Sequence, residues 1–501
     1  ISRGLLHHLA ESIGYEHVID QLIDEIWRIL QQRPIQVEHV KQMVTQIAIC
    51  RQNPDIDMGN SGQGADRLIS SLFGPTQACR EDPGVEIYQQ RLQSMDNAAL
   101  QYEASGFARA MHDTGLVSPY HSVLLRHLSE ETDYLLSEAL GLSSTGRDCL
   151  LSYSDLVRAL IAKAIHPETA QGIYGLALML ERGILYQSAM APSLWRQLSL
   201  PLSPAAEQRL NSLFGDSPCA SNRLLAGVLC VLGQPLGIGQ GNNPTCQSAR
   251  AMSMWAYNDP DYLLQMVVWA ARDDEIIMHF EGKAISSQDS LSGIASHLPM
   301  DLDPVSLILV PHLDRIYAEM GRCCIDPHRW VNPEFHGWWC GRGFSINVDV
   351  ASGKLMQLEV FLRHFYASYH PYYNDNQPLI HPQPAGIAVT DSAMRFVGWH
   401  AITILRVTLD PDNVMRVYFY NPNNDSGQNW GDDIQVSTSG HSERFGEASL
   451  PFEEFASRLY IFHYDPLEPG QFALVKTEEL QRVIERIHRS WGASRLPELN
   501  S

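Results

Sequence analysis

The sequence lacks an uninterrupted apolar run of about 18 residues, the length that a membrane-crossing helix needs. It also lacks the basic stretch followed by an apolar one that marks a secretory signal peptide. The sequence begins at Ile1 and not at methionine, so we expect it to be a piece of a longer protein. Because no apolar run is long enough, no membrane span is predicted.

Basic residues are scarce. The chain has 36 Lys and Arg against 57 Asp and Glu, a formal net charge of -21. A surface of this sign repels the phosphates of nucleic acids and of anionic lipids. We therefore expect neither a nucleic acid nor a membrane surface as the main partner.

Cysteines are few for the length and follow no compact disulfide pattern. The nine cysteines are scattered along the chain. This distribution is typical of reduced, mostly buried thiols in a cytosolic-type reducing environment, with one thiol free for chemistry. No cofactor is predicted.

The length of 501 residues and the hydrophobic fraction of 45% predict a folded protein of two or three domains. Up to about residue 225 the apolar residues follow helical spacing, as in Glu16–Gln32. Short strands are predicted later, at Ser306–Val310, Phe344–Val350 and Ile387–Thr390, with a hairpin formed by Val397–Thr408 and Val414–Asn421. The sequence predicts an α+β fold, with an all-helical domain at 1–225 and a mixed domain at 226–501.

Four residues of the second domain have the chemistry of a thiol hydrolase. Cys246 follows Pro244-Thr245 at a predicted helix start, where the partial positive charge of the helix lowers a thiol pKa. His400 lies on one hairpin strand and is predicted to pair with the thiol, while Asn421 ends the other strand and is predicted to orient the imidazole. The Cys246 backbone N–H and the Gln240 side-chain amide are the predicted oxyanion donors.

The order Gln, Cys, His, Asn resembles that of the papain-like cysteine peptidases. Gln240-Gly241 stands six residues before Cys246, His400 precedes Ala401, and Trp430-Gly431 loosely matches the Trp-Gly that follows the family's asparagine. The resemblance covers the chain from about 226 onward. It implies a helical half carrying the cysteine and an antiparallel sheet half carrying the histidine and asparagine.

The resemblance implies the roles of nucleophile for Cys246, base and then acid for His400, orienting group for Asn421 and oxyanion donor for Gln240. The sequence departs from the family pattern at Gln247, where most members have Trp, and at Pro422. The neighbours of Asn421 that compete for its role are Asn423, Asn424 and Asp425.

Three functions stay open at this point. The first is a protease acting through a thioester on a protein or peptide substrate. The second is a protein deamidase or transglutaminase-type acyl transferase with the same triad, as in papain-like bacterial toxins and effectors secreted to act in a host cytosol. The third is a catalytically inactive papain-like interaction module. The helical domain is expected to position substrate, or to bind a partner protein or the rest of a longer parent chain.

A second group of residues has zinc-ligand chemistry but not the spacing of a zinc ribbon. The nearby tryptophans favour a packed aromatic region instead. We therefore predict no metal at this group, which comprises His312, Cys323, Cys324, His328, His336 and Cys340.

Overall fold

The structure is a computed structural model, and it describes residues 3–130, 133–289, 293–295, 301–323, 340–349, 352–423 and 427–492. The chain forms two compact units. The first, the helical unit, comprises Ile1–Ile238, Asp259–Glu275 and Met300–Leu309; the second, the sheet unit, comprises Gly239–Asn258, Ile276–Pro299 and Val310–Ser501. The predicted boundary between residues 225 and 226 falls inside a helix that spans Ala220–Gly233.

The helical unit is built from helices, as the apolar spacing predicts. Its helices are α1 (Arg3–Ile13), α2 (Tyr15–Gln31), α3 (Glu38–Gln52), α4 (Ser61–Phe73), α5 (Val85–Gln93), α6 (Asn97–Thr114), α7 (Pro119–Ser129), α8 (Asp133–Leu140), α9 (Ser144–Ser152), α10 (Ser154–Ala164), α11 (Gly172–Glu181), α12 (Met190–Leu198), α13 (Pro204–Phe214), α14 (Ala220–Gly233) and α16 (Pro260–Val268).

Local sequence fixes several of these helix ends. Ser203 caps α13, because its hydroxyl accepts a hydrogen bond from the Ala206 N–H at 3.2 Å and Pro204 occupies the first turn. Asp96 caps α6 through the Ala99 N–H at 2.8 Å. This cap begins α6 and separates it from α5, which ends at Gln93.

The predicted strand Ser306–Val310 is wrong. These residues begin helix α17 (Pro304–Cys323). Asp303 accepts hydrogen bonds from the N–H groups of Val305 and Ser306, each at 3.0 Å, and Pro304 suits the first helical turn. The run is apolar on every side because it is buried, and burial removes the periodicity that distinguishes a helix from a strand.

The sheet unit contains a six-stranded antiparallel sheet in the order β3-β8-β4-β5-β6-β7 and a separate hairpin of β1 and β2. Its elements are α15 (Cys246–Asn258), β1 (Ile277–Phe280), β2 (Lys283–Ser286), β3 (Gly343–Ile346), α18 (Leu358–Tyr369), β4 (Gln383–Thr390), β5 (Phe396–Leu409), β6 (Met415–Tyr420), β7 (Ala448–Pro451), α19 (Phe452–Ala456), β8 (Leu459–Tyr464) and α20 (Thr477–Arg489).

The predicted hairpin is confirmed. Strands β5 and β6 pair antiparallel from Thr403–Tyr420 to Leu409–Met415, and residues 410–414 make the turn. Helix α15 packs against β5, and the buried core of the unit includes Phe365, Trp430 and Phe462. The α+β class is therefore correct: a helical N-terminal region is followed by an antiparallel sheet. Within the described ranges, no helix combines the length and the apolar character needed to cross a membrane.

Candidate active site

Cys246 is the first residue of helix α15. The first N–H groups of a helix have no partner within the helix, so they point at whatever lies at this end. The Cys246 side chain is partly exposed, whereas Cys50, Cys79 and Cys149 are buried. Cys246 is thus a partly exposed residue at the start of a helix that packs against β5.

His400 and Asn421 are hydrogen-bonded across the hairpin. The His400 Nε2 lies 2.7 Å from the Asn421 Oδ1, and both residues are buried, at 6% and 3% exposure. The Asn421 Oδ1 also accepts the Asn423 backbone N–H at 3.0 Å, which identifies this atom as the amide oxygen. An amide oxygen only accepts, so His400 Nε2 carries a proton. The lone pair of the neutral ring is then on Nδ1.

The Cys246 thiol is hydrogen-bonded to the His400 ring. Because Nε2 is bonded to Asn421, Nδ1 is the nitrogen available to the sulfur. Burial alone would raise the pKa of Cys246, but the hydrogen bond and charge of His400 outweigh it. The backbone N–H of Ala401 and the charge of Arg250 act in the same direction, and the pKa of Cys246 falls to about 7.

The pKa of His400 is raised above its ordinary value. Burial acts to lower this pKa, but hydrogen bonds to Cys246 and Asn421 and the charge of the Cys246 sulfur outweigh burial. A lowered thiol pKa and a raised imidazole pKa both favour the thiolate–imidazolium pair. This pair is the reactive form of a nucleophilic cysteine.

Gln240 is buried in the loop before α15. Its backbone N–H donates to the Pro422 carbonyl at 2.9 Å, which joins this loop to the residue after Asn421. Its side-chain Nε2 donates to the Asn243 carbonyl at 2.8 Å, and the Asn243 side chain donates back to the Gln240 carbonyl at 2.8 Å. One hydrogen of the Gln240 amide is used in this exchange, and the amide carries a second.

The structure therefore brings the four predicted residues to one region of the sheet unit. Among the rivals of Asn421, Asn423 takes part through its backbone N–H, while Asn424 and Asp425 lie outside the described residues. Trp430 packs in the core, where its carbonyl accepts a hydrogen bond from Thr390 at 2.6 Å.

Sequence reasoning missed two neighbours of the thiol. Arg250 lies one helical turn after Cys246, at 1% exposure, and its charge lowers the Cys246 pKa. Tyr460 is buried on β8, where burial raises its pKa, the Arg250 charge lowers it and the Cys246 sulfur raises it further. The four-residue spacing from Cys246 was a signal for Arg250, whereas no local pattern points to Tyr460.

The residues of the predicted aromatic region are only partly described. Cys324, His328 and His336 lie outside the described residues. The His312 Nδ1 is hydrogen-bonded to the Ser287 hydroxyl at 2.7 Å. The Cys340 Sγ lies 3.4 Å from the His463 Nδ1, a second thiol–imidazole contact in the sheet unit.

Comparison with known proteins gives no match: no family model, no curated protein and no solved structure matches this chain.

Proposed function

We propose that this chain is a papain-like thiol hydrolase that cleaves amide bonds of a protein or peptide substrate through a thioester on Cys246. The observation that carries the proposal is the hydrogen-bonded series Cys246, His400, Asn421, with a thiol pKa lowered to about 7. A buried structural cysteine without such a partner has a raised pKa instead, as burial raises that of Cys230 to about 12.

In the first step the Cys246 thiolate attacks the carbonyl carbon, and a C–S bond forms. The carbonyl oxygen becomes an oxyanion, and the Cys246 N–H and the Gln240 amide are its proposed donors. His400 then gives its Nδ1 proton to the leaving nitrogen, the C–N bond breaks and an amine departs. The acyl group stays on the sulfur as a thioester.

In the second step a water molecule attacks the thioester carbon. His400 Nδ1, now unprotonated, takes a proton from the water. The C–S bond breaks, the carboxylic acid leaves, and the Cys246 thiolate is regenerated beside the protonated His400. Asn421 holds the ring through Nε2 in both steps, so that Nδ1 faces the sulfur each time.

Deamidase or transglutaminase-type acyl transfer uses the same first step. The departing amine is then ammonia from a glutamine side chain, and either water or a lysine amine attacks the thioester. The arrangement of Cys246, His400 and Asn421 serves each of these reactions equally well. Product mass distinguishes them, because only peptide cleavage gives two fragments.

The first test is site-resolved alkylation of the folded protein with limiting iodoacetamide at pH 6. At this pH only thiols with a strongly lowered pKa are appreciably ionised. We expect Cys246 to be labelled faster than every other cysteine, and the Cys246→Ser variant to lose both this labelling and all amide hydrolysis. The measurement is peptide mass spectrometry after quenching.

Cys219 is the internal control, because it is exposed and, within the residues that the structure describes, its sulfur contacts the Ser221 hydroxyl and not an imidazole. Its burial acts to raise its pKa, but hydrogen bonds from Ser221 and Asn222 lower it overall. If Cys219 were labelled faster than Cys246 in the folded protein, the proposed nucleophile would be refuted. Equal labelling of all thiols would have the same consequence.

A further inference from the structure

Arg250 is a fully buried cation on the helix that carries the nucleophile. It is 1% exposed, and its Nη1 donates to the Ala385 carbonyl at 2.8 Å. It follows Cys246 by four residues, a spacing that places two side chains on the same face of a helix. Burying a charge costs free energy unless the charge is paired or hydrogen-bonded. A buried arginine beside the thiol therefore needs a compensating role.

The contact with Ala385 connects the helix to the strand next to His400. In the pairing of β4 with β5, Ala385 faces Ile402, Gly386 faces Ala401 and Ile387 faces His400. The Arg250 guanidinium is therefore hydrogen-bonded to Ala385, two residues before Ile387, which pairs with His400. Because Arg250 and Cys246 share α15, this hydrogen bond holds the start of the helix against the strand pair that carries the base.

The strand that accepts the Arg250 hydrogen bond is tightly packed at the next residue, Gly386. A Cβ atom on Gly386 would lie 2.6 Å from Cε1 and Cζ of the Tyr460 ring. The Tyr460 ring in turn packs against Trp399, with ring centroids 4.4 Å apart. The strand beside Arg250 thus has little freedom to move, and a group fixed to it is held rigidly.

We propose that Arg250 is a positioning residue, which fixes a positive charge beside the Cys246 thiolate and holds α15 on β4. This inference rests on the proposed function, because it concerns the same nucleophile. Arg250 makes no contact with substrate in this role. Its charge stabilises the Cys246 thiolate, and its hydrogen bond fixes the position of helix α15, which carries Cys246.

The positive charge of Arg250 shifts the pKa values of both Cys246 and His400 in a known direction. It lowers the pKa of Cys246 and also lowers the pKa of His400, since a cation favours the thiolate and disfavours the imidazolium. Within a buried site such an effect is little screened by salt. Arg250 therefore shifts the pH range of thiolate formation downward.

The experiment compares Arg250→Met and Arg250→Lys by the pH dependence of Cys246 alkylation. A nearby charge shifts a pKa by about one unit or more. In Arg250→Met the thiol is expected to titrate about one unit higher, and alkylation at pH 6 is expected to be about tenfold slower. Arg250→Lys retains a charge, so its midpoint is expected to stay close to that of the wild type.

Arg458→Met is the matched control. Arg458 is also fully buried in the sheet unit, and it donates to the Thr390 hydroxyl at 3.1 Å and the Trp430 carbonyl at 3.2 Å. Its loss is expected to lower the unfolding midpoint without moving the pH dependence of Cys246 labelling. A purely structural arginine at position 250 would behave in the same way.

Each result decides one claim. An unchanged alkylation midpoint in folded Arg250→Met would overturn the inference. If that variant does not fold, the neutral Arg250→Gln decides: a midpoint raised by about one unit supports the charge role, and an unchanged midpoint overturns it. Slow labelling of Cys246 in the wild type would instead refute the proposed function itself, so the two failures are distinguishable.

Discussion

Two polar clusters in this chain each contain a cysteine, and their chemistry differs. In the helical unit, Cys79 is fully buried and its sulfur lies 3.1 Å from the Thr76 hydroxyl. That hydroxyl donates to the Glu103 carboxylate at 2.7 Å. In the sheet unit, Cys246 is partly exposed and its partner is the His400 ring. One cluster has an anion beside the thiol, and the other has an imidazole.

The comparison shows that the groups beside a cysteine set the direction in which its pKa is shifted. Burial raises the pKa of Cys79, hydrogen bonding with Thr76 lowers it in part, and the Glu103 charge raises it again. The pKa of Cys246 is lowered to about 7 although burial opposes this, because His400 both donates a hydrogen bond and carries charge. A buried thiol is therefore inert by default, and reactivity needs a cationic partner.

The largest expected effect comes from His400→Ala, which would make the Cys246 site resemble that of Cys79. Without the imidazole the pKa of Cys246 returns to at least about 8.5, so the thiolate fraction at pH 6 falls by about 30-fold or more. The rate of alkylation falls with it, and amide hydrolysis is expected to fall by about 10³-fold or more because the acid–base group is also gone.

The measurement is the pH profile of Cys246 alkylation, which in the wild type is expected to rise through about pH 7 as the thiol ionises. The control is His463→Ala, which removes a different imidazole of the sheet unit, one that contacts Cys340 at 3.4 Å. That variant is expected to keep the wild-type profile of Cys246. A His400→Ala protein with an unshifted profile would contradict the assignment of the pair.

The cluster of Cys246, His400 and Asn421 was accessible from sequence because each member has a local signal. Proline before Cys246 indicates a helix start, and the turn residues at 410–413 indicate a hairpin that joins the strands of His400 and Asn421. These local features, together with an order of residues that resembles a known family, led to the prediction that the three side chains lie together. The Cys79 cluster has no such signal, since Glu103 comes from a helix whose buried face is apolar except for Glu103 itself and Thr114.

Other features could not be predicted from short stretches of sequence, because they depend on burial or on contacts between distant residues. The start of α17 looked like a strand because a fully buried helix shows no amphipathic period. The contact between Cys340 and His463 joins positions 123 residues apart, which only the folded sheet brings together. The buried arginine after Cys246 was visible in the sequence, but its meaning depends on which strand faces that turn of the helix.

A smaller effect is expected from Asn421→Ala. The Asn421 Oδ1 accepts from His400 Nε2 at 2.7 Å, and this bond fixes the tautomer and the ring orientation. A hydrogen bond to a charged group contributes about 1.5–3 kcal/mol, which corresponds to a loss of roughly 10- to 150-fold in kcat/KM. The ring itself remains, so the loss is smaller than for His400→Ala.

The readout for Asn421→Ala is the ratio of hydrolysis rates, together with the alkylation midpoint, which is expected to rise only slightly. The control is Asn374→Ala, another buried asparagine of the sheet unit, whose side chain donates to the Ser368 and Gln377 carbonyls at 3.2 Å. If both variants reduced hydrolysis equally, Asn421 would have no special part in orienting the imidazole.

The smallest effect is expected from Glu103→Gln, which changes the Cys79 cluster of the helical unit. In the helical unit, the Glu103 Oε2 accepts from the Tyr88 hydroxyl and the Thr76 hydroxyl, each at 2.7 Å. Glu103→Gln keeps an acceptor oxygen but removes the charge, so each bond weakens from a charged to a neutral one. The free energy of unfolding of this unit is expected to fall by about 1–2 kcal/mol. Hydrogen exchange of the α6 amides measures this change.

The matched control for Glu103→Gln is Glu138→Gln on α8, where a half-buried carboxylate accepts one hydrogen bond from Ser105 at 3.2 Å. Its change is expected to lie within about 0.5 kcal/mol. Removing the Glu103 charge also removes a cause of the raised pKa of Cys79, yet burial of that sulfur remains the larger cause. Cys79 should therefore stay unlabelled at pH 6 in Glu103→Gln, while Cys246 is labelled as before. Rapid labelling of Cys79 in this folded variant would show that the anion, and not burial, keeps a cysteine inert.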